Sequence, residues 1–295
     1  MSNRLCLEVL TLDNRIIYPF YGVWTPTLSL PQKQENPVEQ SKLNYTSQSS
    51  SQEYLTLIDL FFRNLREPYK LKNAIDLGCG TGVLSILAAK YQIGGEIIGI
   101  DDYKYAVECT KMNSQVFGYG STIRALQLDL TKLYFNKLLF SKADDLYIDR
   151  PSLNTTAFLE ELRAYKSVAH QIGIPSRYDI IMCNPPWIPA AKVAEVNPLD
   201  NGVYDPEEKF LKSALNFGRL HLSPGKVGRM LLIYSDLAQI LGIQKPERVE
   251  ELIHHSGLFV EEIYQIPMRQ SKKLYDPLVN YKAEANVQLF EIFKP

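Results

Sequence analysis

Apolar positions recur at helical intervals from Glu53 onward, at Leu57, Leu60, Phe61 and Leu65, which predicts a helix that ends near Pro68. Beyond it, short apolar runs alternate with amphipathic stretches. Strands are expected at 71–77, 96–100 and 123–128, separated by a helix over 83–91 and a second whose inner face carries Ala106, Cys109, Met112 and Val116. The alternation resumes with a strand at 178–183, a helix near 207–220, the Pro224-Gly225 turn, a strand at 229–235 and a helix near 246–255. Two closing strands at 258–266 and 286–293 read as an antiparallel hairpin. Such a pattern is that of a Rossmann-like α/β fold: a mostly parallel sheet of seven strands with helices on both faces, whose ligands bind beyond the carboxyl ends of the strands.

Two regions stand outside this pattern. Residues 1–70 form an N-terminal element in which the aromatic stretch Tyr18-Pro19-Phe20-Tyr21-Gly22-Val23-Trp24 precedes a tract at 31–52 rich in Gln, Asn and Ser, suited to a flexible loop or lid. Within the main unit, 71–295, the stretch 131–177 is too long for an ordinary connection and reads as an insertion carrying a helix at 155–171.

Composition narrows the classes. With 45% hydrophobic and 22% charged residues among 295, the chain is that of a globular protein with a sizeable core. It has no apolar run of membrane-spanning length, and its first ten residues lack the pattern of a signal peptide, so the expected location is the cytoplasm. Cys6, Cys79, Cys109 and Cys183 show no paired spacing and read as free buried thiols; with four His in the chain, no metal site is expected. A net charge of −1 supplies no long-range attraction for a polyanion.

Candidate chemistry gathers at the predicted strand ends. In Asp76-Leu77-Gly78-Cys79-Gly80-Thr81-Gly82 the glycines allow a sharp strand-to-helix turn and close approach of a ligand to backbone. The third glycine of a dinucleotide fingerprint, Gly-x-Gly-x-x-Gly, is missing, which weakens a pyrophosphate reading. Asp101 ends the next strand, where its carboxylate can accept from two ribose hydroxyls, with Asp102 beside it as a rival for capping the following helix. Asp129, followed by Leu130, is placed after the third strand to accept from an adenine amino group. Asn184-Pro185-Pro186-Trp187 follows an apolar strand: two prolines fix the backbone and remove two donors, leaving the Asn184 side-chain oxygen and the Pro185 carbonyl as paired acceptors for an NH2 group, with Trp187 as a stacking surface.

The glycine segment resembles the first motif of class I S-adenosylmethionine-dependent methyltransferases. That resemblance implies that the loop cradles the methionine part of the cofactor and that Asp76 helps hold its amino group. Over about residues 70–240, the Asn-Pro-Pro-aromatic element, the spacing from Asp101 to Asn113, Val203-Tyr204-Asp205-Pro206 and Leu222-Ser223-Pro224-Gly225 resemble the release-factor glutamine methyltransferases. The segment Gly22-Val23-Trp24-Thr25-Pro26-Thr27 is similar to one beside the active site of that group, which implies substrate contacts for Trp24, Pro26 and Thr27. The chain departs from the group in having Trp187 for the usual Tyr, in its insertion, and in lacking an evident five-helix N-terminal domain. The expected function is methylation of a planar amide or amino nitrogen on a protein side chain or a related small molecule. The alternatives are an exocyclic amine of nucleic acid as acceptor, or a regulatory protein that binds the cofactor without turnover.

Overall fold

The computed structural model describes residues 10–12, 15–17, 51–64, 73–134, 175–190, 202–268 and 284–295. Seven strands form one sheet in the order β5-β4-β3-β6-β7-β9-β8, namely β5 (Ile123–Gln127), β4 (Glu96–Asp101), β3 (Asn73–Leu77), β6 (Ile180–Cys183), β7 (Gly225–Ser235), β9 (Asn286–Lys294) and β8 (Phe259–Pro267). The first five are parallel, and β9 runs antiparallel to both β7 and β8. This is the expected Rossmann-like sheet with its closing hairpin. Two three-residue strands, β1 (Leu10–Leu12) and β2 (Arg15–Ile17), pair with each other apart from it.

The central strands are buried on both faces, because successive side chains point to opposite sides and both sides carry helices. Ala74, Ile97, Ile180, Met182 and Leu231 face a core shared with α1 (Ser51–Asn64) and α2 (Val83–Lys90). Ile75, Leu77, Ile98, Ile181, Cys183 and Leu232 face a second core with α5 (Lys209–His221) and α7 (Arg248–His255). The remaining helices are α3 (Lys104–Val116), α4 (Leu130–Tyr134) and α6 (Leu237–Ile240).

The inner faces of two helices differ from the sequence expectation. In α1 the buried side is Tyr54, Leu55, Leu57, Ile58, Phe61 and Phe62, while Leu60 is 47% exposed. In α3 the buried residues include Thr110 and Asn113, and Val116 lies at the surface. Both polar residues are drawn inward by backbone groups of the glycine loop, as described below. Ser51 and Gln52, assigned from sequence to the polar loop, open α1. The rest of that loop, Trp24, Pro26, Thr27, Cys6 and most of the 131–177 insertion lie outside the described residues.

Candidate active site

The site follows from the sheet. Leu77 in β3 pairs with Ile100 in β4 on one side and with Cys183 in β6 on the other. Gly78, Asp101 and Asn184, each the next residue along, therefore leave three adjacent strands at one level. The chain runs outward from β3 to β4 and β5 in one direction and to β6 and β7 in the other, so this level is the point where strand order reverses and a crevice opens.

The glycine loop is held from two sides. The amides of Gly78 and Cys79 both donate to the Ile100 carbonyl at 2.9 Å, and the Gly80 amide donates to Asp101 Oδ2 at 3.0 Å. From α3, Thr110 Oγ1 donates to the Gly80 carbonyl at 3.1 Å and Asn113 Nδ2 to the Thr81 carbonyl at 2.9 Å. Gly82 opens α2 with φ 80°, and a Cβ there would lie 2.8 Å from Thr110 Cγ2. Only glycine meets both demands. Cys79 lies buried in this loop, and burial together with the carboxylates of Asp101 and Asp76 pushes its thiol well up, so it stays protonated and unreactive.

Asp76 is 1% exposed. Its Oδ2 accepts from Ser85 twice, from Oγ at 2.7 Å and from the amide at 3.1 Å, while Oδ1 is buried with no protein partner. Burial raises its pKa to about 7, against the lowering effect of the Ser85 bonds. A buried carboxylate oxygen without a donor is costly in a finished structure and calls for a ligand cation or donor.

Asp101 also uses its carboxylate locally, Oδ1 accepting from the Tyr103 amide at 3.0 Å. Each of its oxygens keeps a lone pair for a ligand hydroxyl. Burial raises its pKa to about 6. Asp102 is exposed and its pKa is raised, chiefly by desolvation. Asp129 caps α4 instead of standing free at a strand end: Oδ1 accepts from the Thr131 amide and hydroxyl and from the Lys132 amide, and Oδ2 pairs with Lys132 Nζ at 3.0 Å. The helix start attracts an acid for its unpaired amides. Asp129 and Leu130 still border the crevice.

At the end of β6, Asn184 is partly exposed and Trp187 Nε1 donates to its Oδ1 at 3.1 Å. The tetrapeptide is anchored just beyond, where the Ile188 amide donates to the Val203 carbonyl at 3.0 Å and the Asp205 amide to the Ile188 carbonyl at 2.8 Å. Asp205 in turn caps α5, its two oxygens accepting from the Phe210 and Leu211 amides at 2.8 and 2.9 Å. Between them Glu207 and Glu208 both hold left-handed conformations, φ 61° and 56°. Glu208 is fixed there by Arg248, Lys212 and Gln244.

These parts enclose one cleft of about 420 Å³, lined by Asp76, the Gly78–Thr81 loop, Asp101, Asp102, Asp129, Leu130, Asn184, Pro186 and the 204–206 segment. Sequence reading brought most of this wall together, although Gly82, Pro185 and Trp187, also expected at the site, are not among the residues that line the cleft. It missed Tyr54, reaching in from α1, and Lys209 and Phe210 at the start of α5. Tyr54 obeys the periodicity of α1 and so carried a core signal only. Ser235 and Asp236 do not line the cleft: Ser235 Oγ accepts from the Leu237 amide, and Asp236 binds Asn286. No His, Cys, Asp and Glu grouping able to hold a metal occurs among the described residues, and no described helix is long and apolar enough to cross a membrane.

Residues 69–174, just over a third of the chain, match the family model described as a methyltransferase domain. No curated protein matches. Similar solved structures include the ribosomal protein L11 methylase from Lactobacillus delbrueckii subsp. bulgaricus, with 13% identity, 82% of this chain and 79% of that one covered and a TM-score of 0.44. Geranyl diphosphate methyltransferase in complex with GPP and sinefungin aligns at 10% identity over 82% of this chain and 78% of that one, TM-score 0.50. The cyclase SpnF aligns at 13% identity over 88% and 85%, TM-score 0.48. At such identities the likeness is one of fold. The methyltransferase assignment rests on the match over residues 69–174, and a domain of that kind takes S-adenosylmethionine as its methyl donor. The residues present fit the cofactor: Asp76 Oδ1 is buried with no protein partner, which suits an ammonium group, Asp101 retains acceptor capacity, and the glycine loop lines the cleft.

Proposed function

We propose that this S-adenosylmethionine-dependent methyltransferase acts on a planar amide or amino nitrogen, of a protein side chain resembling glutamine or of a related small molecule. The supporting observation is the position of Asn184. It leaves β6 level with the glycine loop, with a proline-fixed backbone, and borders the cleft that Asp76 and Asp101 also line. Its Oδ1 and the Pro185 carbonyl are acceptors, and two acceptors hold the two hydrogens of one NH2 group.

S-adenosylmethionine supplies an activated methyl on a sulfonium. Asp76 would hold its amino group, Asp101 its ribose hydroxyls, and the cleft edge by Asp102, Asp129 and Leu130 its base, with Gly78, Cys79, Gly80, Thr81 and Gly82 as the backbone cradle. The chain's own contribution to rate is positioning: Asn184 and Pro185 fix the nitrogen with its lone pair aimed along one line, a device worth several orders of magnitude in effective concentration. Pro186 keeps that turn rigid.

A nucleic-acid amine is the second reading. Five aspartates line the cleft, Asp76, Asp101, Asp102, Asp129 and Asp205, against Lys209 as the one lysine or arginine among the described lining residues. That balance disfavours a phosphate backbone near the acceptor. Incubation of the protein and labelled S-adenosylmethionine with protein, small-molecule and nucleic-acid fractions of a cell extract separates the two: label in the protein or small-molecule fraction supports the first reading, and label confined to nuclease-sensitive material overturns it.

A further inference from the structure

We propose that Trp187 acts through Asn184: its indole N–H locks the rotation of the Asn184 amide, so that Oδ1 is presented to the acceptor with one lone pair still open. This deepens the reading above and rests on it. The amide torsion of an asparagine has two broad wells that exchange oxygen for nitrogen. In one, an acceptor NH2 meets an oxygen; in the other it meets a second NH2 and is repelled. The backbone clamps on either side, β6 before Asn184 and the Ile188 bridge after it, do not distinguish the two.

Trp187 does. An indole nitrogen is a donor only, so the atom 3.1 Å from it has to be oxygen; turning the amide over would set donor against donor. A carbonyl oxygen carries two lone pairs, and the indole takes one. The ring is also engaged elsewhere. Trp187 packs against the hydrophobic cores on both faces of the sheet, which fixes the indole, and it is not among the residues that line the cleft. Trp187 is therefore a positioning residue, and its replacement by Phe removes the donor while keeping an aromatic ring.

Two measurements on the full chain test this. In the first, Trp side chains are labelled with nitrogen-15 and the Trp187 indole resonance is identified by its loss in Trp187→Phe, the chain having two Trp. It should shift in Asn184→Ala and stay near its original position in Asn184→Asp, which keeps an acceptor oxygen. An unmoved resonance in Asn184→Ala overturns the proposal whatever the acceptor is. In the second, initial rates with labelled S-adenosylmethionine are followed against increasing amounts of the extract fraction that the wild type methylates. Trp187→Phe should lower the limiting rate about tenfold with the half-saturating amount changed less than about twofold, and with S-adenosylhomocysteine binding unchanged. A stacking role predicts the reverse, a wild-type rate for Phe and a raised half-saturation for Trp187→Ala, and would overturn the proposal. Failure of the wild type to methylate any fraction would count instead against the reading of function.

Discussion

Ser85 donates to a single oxygen of Asp76, from its hydroxyl at 2.7 Å and its amide at 3.1 Å, leaving the other oxygen buried and without a partner. The arrangement orients the carboxylate and reserves one face of it. It also sets the protonation: burial carries the pKa to about 7, so the carboxyl titrates near neutrality and a bound ammonium would favour its ionised form.

Cofactor affinity is therefore expected to rise with pH up to about 7 and level off, falling about tenfold per unit below that value. Calorimetry with S-adenosylhomocysteine, which carries the same amino group, measures it. Asp76→Asn should weaken binding and flatten the profile. A wild-type profile that is already flat would contradict the assignment of Asp76 Oδ1 to the cofactor.

The ligand-free protein should show the opposite trend in stability. A carboxyl with a folded pKa of about 7 and an unfolded value of about 3.9 keeps its proton in the folded state alone between those limits. Its contribution is full below about pH 4 and is lost as pH rises through 7. Asp101 and Asp205, both raised to about 6, act in the same direction. Asp76→Asn should remove its share of the decline in denaturant midpoint over that range, and saturating S-adenosylhomocysteine should offset it.

Gly82→Ala tests the loop. The substitution puts a Cβ at φ 80° and 2.8 Å from Thr110 Cγ2, so a loss of about 1–3 kcal/mol in denaturation is expected, with weakened cofactor binding. Unchanged stability and binding would show that the loop adapts freely.

Asn113→Ala removes the donor to the Thr81 carbonyl without touching the cleft. The loss of a buried hydrogen bond is expected to cost about 1–2 kcal/mol and to weaken S-adenosylhomocysteine binding several-fold, as the loop relaxes. Stability loss with no change in affinity would limit Asn113 to the core.

The strand ends were legible in sequence because each is marked by a residue type that a buried strand does not tolerate: glycine after Leu77, an acid after Ile100, Asn-Pro-Pro after Cys183. Thr110 and Asn113 were not assigned to the inner face, since a polar residue on a helix reads as outward unless its partner is known, and the partners lie some 30 positions earlier in the chain. Asp129 illustrates the converse limit. Its place after β5 suits either a ligand contact or a helix cap, and only the hydrogen bonds to Thr131 and Lys132 reveal the cap. Tyr54 and Phe210 line the cleft through tertiary packing that no local pattern records.

Glu208 supports the rim of the cleft. Its left-handed backbone, φ 56°, is held by a buried carboxylate that meets Arg248 at 2.7 Å and Lys212 at 3.3 Å, and these cations lower its pKa despite burial. Glu208→Ala removes an acid that both cations meet and should destabilise by about 2 kcal/mol, less than a wholly buried pair because Arg248 is partly exposed. Here the pH effect has the usual sign: the Glu208 contribution is present above about pH 4 and is lost as pH falls through the lowered folded value. An unchanged melting temperature for Glu208→Ala would show that the Asp205 cap alone holds the turn.

The central claim is that this methyltransferase delivers its methyl group to a planar nitrogen held by Asn184 and Pro185. The direct measurement is transfer of label from S-adenosylmethionine to fractionated extract, followed by mass-spectrometric location of the methyl on the product, for wild type and Asn184→Ala. The expected result is label on an amide or amino nitrogen, lost by at least about 100-fold in Asn184→Ala while S-adenosylhomocysteine still binds. Label on oxygen, sulfur or carbon, or undiminished transfer by Asn184→Ala, would contradict it.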